Sequence, residues 1–292
     1  MTAMTTAATS TSEEHFTLIG VWRDLRRSRE LITQLTMRDL RLRYKQAVFG
    51  FAWAVLMPML LIGAGLVIRM AAFKNAPPGT APSIGGIALK GWAWAFFAGG
   101  MNFATTSVLL NVQLVTKIYF PREVLPIASV LTQGVDALVG GFVLLLLSPW
   151  LHFSVTPALL WLPVLCVILF TFTLALGFLF ACANLFFRDV KYILQVLLTF
   201  GILFTPVLFN LGNWGNGARI ALLINPLSSI LEGFQVAAVQ GVSLLSSIPA
   251  PDGGAPLWSP FYLLYAVAAT AILFPISVKL FRRSSVQFAE FY

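Results

Sequence analysis

"LLNVQLVTKIYFPREVLPIASVL" (residues 109–131) sets the problem of this chain. Two apolar runs close on Lys117, Phe120, Pro121, Arg122 and Glu123, and then the apolar sequence resumes. A charged loop of that kind, with an aromatic-proline step at its centre, has to be read against everything around it.

The surroundings are oily. Of 292 residues, 58% are hydrophobic and 10% charged, where soluble domains carry roughly 45–50% and roughly 25%. Such a composition expects lipid as its solvent. The net charge of +8 raises the question of nucleic acid, but the basic residues flank apolar runs instead of forming a face. That is how cytoplasmic loops of membrane proteins keep theirs. No nucleic-acid partner is expected.

A spanning helix needs about 20 mostly apolar residues. Runs of that kind lie near 48–70, 91–114, 126–149, 158–187, 193–211 and 260–281. They are continuously apolar, not alternating, which excludes a transmembrane barrel. The chain therefore reads as an all-α integral membrane protein with six transmembrane helices.

Orientation follows from charge. With the N-terminus inside, the cytoplasmic side collects Arg23, Arg26, Arg27, Arg29, Arg38, Arg41, Arg43, Lys45, Lys117, Arg122, Arg188, Lys191, Lys279, Arg282 and Arg283. The opposite side keeps Arg69, Lys74, Lys90 and Arg219. That bias places both termini in the cytoplasm. Trp92 and Trp94 then fall at the outer interface and Trp53 near the inner one.

The start, "MTAMTTAATSTSEEHF", lacks a basic stretch followed by an apolar core and reads as a polar tail without a cleaved signal. Residues 1–20 form that tail, 21–47 an amphipathic interface helix, and 48–292 the transmembrane domain. Within 21–46, Val21, Leu25, Leu31, Ile32, Leu35 and Leu42 share one broad helical face, with Arg23, Arg27, Arg38, Arg41 and Lys45 opposite. A helix so built lies in the membrane interface. Whether it only anchors to anionic lipid or also docks a partner stays open.

Between the fifth and sixth spans, "GNWGNGARIALLINPLSSILEGFQVAAVQG" (212–241) holds two short apolar helical stretches broken at Asn225-Pro226. Neither half is long enough to cross a bilayer, so the loop is expected to re-enter or cover the outer face. Irregular backbone at membrane depth is tolerated where it is buried in protein or lines a cavity, which makes this loop a candidate exit.

No catalytic machinery is legible. The chain has no G-x-x-x-x-G-K-[ST] phosphate loop, and His15 and His152 are isolated. Cys166 and Cys182, sixteen residues apart in one expected helix, are about 24 Å apart by helical rise, too far for a disulfide. No catalytic residue and no metal site is assigned. Asp136 is the acidic residue well inside a span, about 15 Å beyond Pro126. A carboxylate at that depth is a functional candidate by default, with helix packing as the other reading. Small residues at Ala95, Gly99, Gly100 and Ala104 suit close helix approach.

Four motifs together carry a family resemblance: "LTMRDLRLRYKQAVFGFAWAVLMPML" (35–60), "LVTKIYFPREVLP" (114–126), "NLFFRDVKYILQVLLTFGILFTPVLF" (184–209) and "INPLSSILEGFQ" (224–235). In this order they resemble the ABC-2 type permeases that export polysaccharides and polyol phosphates. Phe49 stands where Leu is more usual, and Gln235 where such exporters commonly carry Arg.

The resemblance implies a channel-forming subunit and no enzyme. Two copies would form a homodimeric channel in the bacterial plasma (inner) membrane. Two copies of a separate ABC ATPase would bind below it and hold ATP and Mg. The cargo would be a lipid-linked or long-chain polysaccharide such as O-antigen, capsule or teichoic acid. Lys117, Phe120, Pro121, Arg122 and Glu123, with Arg188 and Asp189, would then couple to the ATPase. Arg38, Asp39, Arg41 and Tyr44 would mark the interface helix, and Asn225, Pro226 and Glu232 the outer gate. A plain positive-inside turn explains Lys117 and Arg122, but not the Phe-Pro step or Glu123. Rival readings are an ABC-2 exporter of drugs or small lipids, a secondary transporter, and a membrane-embedded glycan enzyme.

Overall fold

The computed structural model describes residues 18–45, 52–72, 74, 82–117, 120–250 and 253–291. Most of the expected tail, Phe49 and the 46–51 entry to the first span therefore lie outside the described residues. Helices follow in the order α1 (Leu18–Arg27), α2 (Arg29–Tyr44), α3 (Ala52–Ala72), α4 (Ile84–Leu110), α5 (Val112–Lys117), α6 (Val124–Leu146) and α7 (Ser148–Leu151). A 3-10 turn (Pro157–Leu160) leads into α8 (Trp161–Phe186), and then come α9 (Val190–Gly201), α10 (Asn216–Leu223), α11 (Pro226–Ala238) and α12 (Pro260–Phe291). No strand occurs among the described residues beyond one isolated bridge, Ile248 to Trp258.

Among the described residues, four helical stretches are long and apolar enough to cross a membrane: Ile84–Leu110, Val124–Leu146, Pro157–Phe186 and Pro260–Ser284. The pair α10 and α11, bent by 104°, makes a fifth if counted as one span. At the core α4 packs against α6, α8 and α11, and α8 packs against α12. Small residues let α4 and α8 meet: a Cβ added to Gly177 would stand 2.9 Å from Ala104 Cβ. Without hydrophobic drive between helices in lipid, such close contact supplies the association.

Three boundaries differ from the sequence expectation, each for a local reason. The second span starts at Ile84, seven residues early, because Ser83 caps it: its Oγ accepts from Gly86 N at 3.1 Å, satisfying an otherwise orphan donor. Lys90, expected in the outer loop, thereby moves inside the helix. Trp92 and Trp94 move with it. Trp94 is buried, and Trp92 is half-buried, its Nε1 donating to Ala137 O at 2.7 Å.

The expected span 193–211 breaks. α9 has 12 residues, about 18 Å of helix, and a 3-10 turn (Ile202–Phe204) closes it. Thr205 is extended, with φ −128° and ψ 145°, because the following Pro206 disfavours helix at the residue before it. The inner helix also breaks, at Ser28, into α1 and α2.

Candidate functional site

One end of the bundle gathers the charged loops. Asn184 Nδ2 donates to Thr105 O at 3.0 Å, tying the end of α8 to that of α4. Phe178 of α8 and Phe281 of α12 have ring centroids 5.2 Å apart. Around this end lie Lys117, the 120–123 loop, and the Arg188-Asp189 turn.

These residues do not all face the same way. Lys117, Arg188 and Asp189 are exposed, as are Phe186 and Phe187 beside them. Phe120 is half-buried and packs on the hydrophobic core. Pro121 and Arg122 are half-buried, and Arg122 Nη1 is buried with no hydrogen-bond partner among the described residues. Glu123 departs from expectation. It is 5% exposed and accepts from Arg282 Nε of α12, whose Nη2 also donates to Asp24 of α1 at 3.1 Å. A buried carboxylate is tolerated only when paired, so Glu123 faces into the fold, where it locks the loop to α12.

The interface helix is held by its C-terminal end. α2 packs along α6, with Leu35 and Thr36 buried, while Leu42, assigned to its apolar face, is exposed. Tyr44 Oη donates to Asp136 Oδ1 at 2.6 Å. Arg43 Nη1 donates to Asp136 Oδ2 and to Gln133 Oε1 at 3.3 Å. The Arg43 guanidinium also lies 4.1 Å from the Phe103 ring centroid, a cation–π geometry. Burial pulls this guanidinium below its usual value and pushes the Tyr44 phenol up.

Asp136 is thus the anchor of α2, paired with a residue the sequence placed among fifteen interchangeable basic ones. The depth of Asp136 signalled that a cation must meet it; only packing chose Arg43. Upstream, Arg38 bridges Asp39 Oδ1 at 2.8 Å and Asn111 Oδ1 at 2.8 Å, and Arg41 is exposed.

At the opposite end, Pro226 opens α11 as its first residue, and Asn225 Oδ1 accepts from Leu227 N at 3.0 Å. Pro at the first helical position with Asn as cap is a strong helix start, so the chain turns sharply there. The two halves then fare differently. Residues 227–238 are buried throughout, whereas α10 exposes Ile220 and Ile224 flanks it, also exposed.

Glu232 is locked. Its Oε2 is 3.4 Å from Lys90 Nζ, with the side chains 4% and 1% exposed, and Lys90 also donates to Phe209 O at 3.3 Å. Gln235 Nε2 donates to Asn210 Oδ1 at 3.4 Å. Arg219 of α10 is buried and donates to Trp214 O at 2.9 Å, while Asn216 Oδ1 accepts from Ala255 N at 2.7 Å. A charged pair joining α4 to α11 was not legible, since Lys90 read as an outer-loop residue.

No group of three or more His, Cys, Asp or Glu able to hold a metal occurs among the described residues, and Cys166 and Cys182 are free thiols. The described residues form a helical bundle with one charged end and, at the other, the buried pair Lys90–Glu232.

Known proteins resemble this chain. A family model described as ABC-2 type transporter matches residues 30–239. The chain is 30% identical over 221 residues to the O-antigen export system permease protein RfbA of Myxococcus xanthus, covering 75% of this chain and 84% of that protein. It is 26% identical over 217 residues to an O-antigen export system permease protein RfbA of Klebsiella pneumoniae, covering 73% and 82%. With a family match running from α2 to the end of α11, this multi-pass membrane protein belongs to the ABC-2 type transporter family.

Proposed function

We propose that this chain is the membrane-spanning permease of an ATP-driven exporter that moves a lipid-linked or long-chain polysaccharide outward across a bacterial inner membrane. The observation that carries this reading is the likeness, over three quarters of the chain, to O-antigen export permeases. The family match, over residues 30–239, takes in α2 through α11.

In this reading six segments span the bilayer: α3, α4, α6, α8, α9 with its 3-10 extension, and α12. Both termini are cytoplasmic, and the pair α10 and α11 re-enters from outside as the gate. Two copies of the chain form the channel. Two copies of a separate ATPase bind ATP and Mg²⁺ and grip the basic end. Burial of Glu123 revises which residues make that grip. Lys117, Arg122, Arg188 and Asp189 offer charge, Phe186 and Phe187 offer apolar anchors, and Glu123 holds the loop in place.

The test reverses the exposed charges. Lys117→Glu with Arg188→Glu should insert and fold normally, yet lose co-purification with the ATPase and surface-glycan staining. Full export with normal co-purification would sink this docking surface. Topology is checked separately: after Cys166 and Cys182 are replaced, a cysteine at Lys74 should label from outside, and cysteines at Ser28 and Arg283 should not.

A further inference from the structure

The two halves of the bent pair are held in different ways. α11 is fixed along its length: residues 227–238 are buried, and Glu232 pairs with Lys90. Its C-terminal end is tied as well, since Ser154 donates from its backbone N to Ala238 O and from Oγ to Val239 O, both at 2.8 Å. Those carbonyls are acceptors that a helix end leaves without partners of its own. α10 is a helix of 8 residues with one open side, where Ile220 is 44% exposed. Space is open around its start too, because a Cβ added to Gly215 or Gly217 would meet nothing within 4 Å.

What holds α10 is the strap that joins α11 to α12, described over residues 239–250 and 253–259. Asn216 and Arg219 stand three apart and so share a face of α10. Between them they take both backbone groups of a single strap residue. Asn216 Oδ1 accepts from Ala255 N at 2.7 Å, and Arg219 Nη1 donates to Ala255 O. Because one residue supplies both groups from its main chain, the two bonds form or break together. At the other end of α10, Tyr265 Oη of α12 donates to Ile224 O at 2.8 Å, beside the Asn225-Pro226 bend.

The strap itself is a firm arm. Ile248 N donates to Trp258 O and Leu257 N to Ile248 O, both at 2.9 Å. Trp258 is fully buried, and its Nε1 donates to Leu244 O at 3.0 Å. Tyr262 Oη of α12 donates to Pro256 O at 3.3 Å. A braced base with a grip at the far end makes a catch, and α10 is the element it catches.

We propose that the strap is a latch on the gate: α10 is the half that moves, turning about Ile224-Asn225 against a fixed α11, and the grip of Asn216 and Arg219 on Ala255 holds it closed. That its release lets cargo leave rests on the exporter reading; that the strap restrains α10 and not α11 does not. Breaking the grip frees the start of α10 while its end stays bonded to Tyr265, so the motion is a swing and not a departure.

The experiment uses the full-length permease in lipid nanodiscs and hydrogen–deuterium exchange read by mass spectrometry. In Asn216→Ala, amides of 216–223 should exchange about fivefold faster than in wild type, the effect of one lost hydrogen bond on a local opening. Amides of 227–238 should be unchanged. The converse variant shuts the latch: Asn216→Cys/Gly254→Cys, with Cys166 and Cys182 replaced. A Cβ added to Gly254 lies 3.1 Å from Asn216 Cβ, just inside the roughly 3.5–4.5 Å of a disulfide, so a small shift of the strap tip allows the bond. Oxidation should slow exchange in 216–223 below the wild-type rate and abolish surface-glycan staining of cells. Reductant should reverse both, and neither single-cysteine variant should respond to oxidant. Should the cysteine pair aggregate on gel filtration, Asn216→Ala decides alone. Unchanged exchange in Asn216→Ala, an equal rise in 227–238, or a folded cysteine pair that does not oxidise overturns the proposal. If deleting the gene abolishes the glycan while the oxidised pair exports as wild type does, the latch is wrong and the exporter reading stands. If the deletion leaves the glycan intact, the exporter reading fails, and exchange still decides whether the strap restrains α10.

Discussion

Two ion pairs, one at each end of the bundle, show what burial does to a charge. Lys90 and Glu232 are sealed inside protein, with side chains 1% and 4% exposed. Arg282 sits between Glu123, 6% exposed, and Asp24, 50% exposed. The first pair has no water to fall back on. The second grades from a dry contact to a wet one within a single guanidinium. The same chemistry therefore fixes α11 rigidly at one end, and at the basic end makes a joint that one partner can leave cheaply.

The contrast is broken most forcefully at the sealed pair. Removing one member of a buried pair costs about 3–5 kcal/mol, because the other charge is stranded. Lys90→Met and Glu232→Gln should each lower thermal stability steeply, measured by fluorescence-detected gel filtration after heating. The double variant should recover most of the loss. Singles that behave like wild type would show that the pair does not hold α11.

The anchor of α2 should respond less. Tyr44→Phe deletes one hydrogen bond to a carboxylate that keeps Arg43, and such bonds contribute about 1.5–3 kcal/mol. Stability should fall by an amount within or below that range. Protease should reach 29–45 more readily in this variant, read by limited proteolysis in detergent. Asp136→Asn should exceed it, since Arg43 is then left without its carboxylate.

At the basic end the expected effects split within one network. Arg282→Gln strands buried Glu123 and should reduce substrate-stimulated ATPase activity of the complex, with a stability loss smaller than that of Glu232→Gln. The least effect belongs to Asp24→Asn, on the exposed arm, where pairs contribute about 0–1 kcal/mol. Equal effects for Arg282→Gln and Asp24→Asn would erase the distinction drawn here between dry and wet contacts.

Much of the fold was legible because lipid imposes simple demands. Continuous apolar runs marked α3, α4, α6, α8 and α12, and the Asn225-Pro226 step marked the bend between α10 and α11. Pro206 carried the same kind of signal as Pro226, and the end it forces on α9 was readable in principle. The exposure of the charged loops was legible in part only. Lys117, Arg188 and Asp189 are exposed, whereas Glu123, in the loop that follows Lys117, points inward. Helical period says little about a six-residue loop, so nothing local distinguished the two roles.

What the sequence alone determined follows from solvent and covalent geometry: a helical membrane protein, clustered basic residues, and breaks where proline removes a donor. Tertiary structure decided which charges find each other. Asp136 needed a cation, but Arg43 was one of many, and Lys90 met Glu232 across 142 residues of chain. Pairing in a dry interior depends on distances of a few ångströms between helices far apart in sequence. Those distances are set by how small residues such as Gly177 let the helices close, a property of the packed bundle and of no segment by itself.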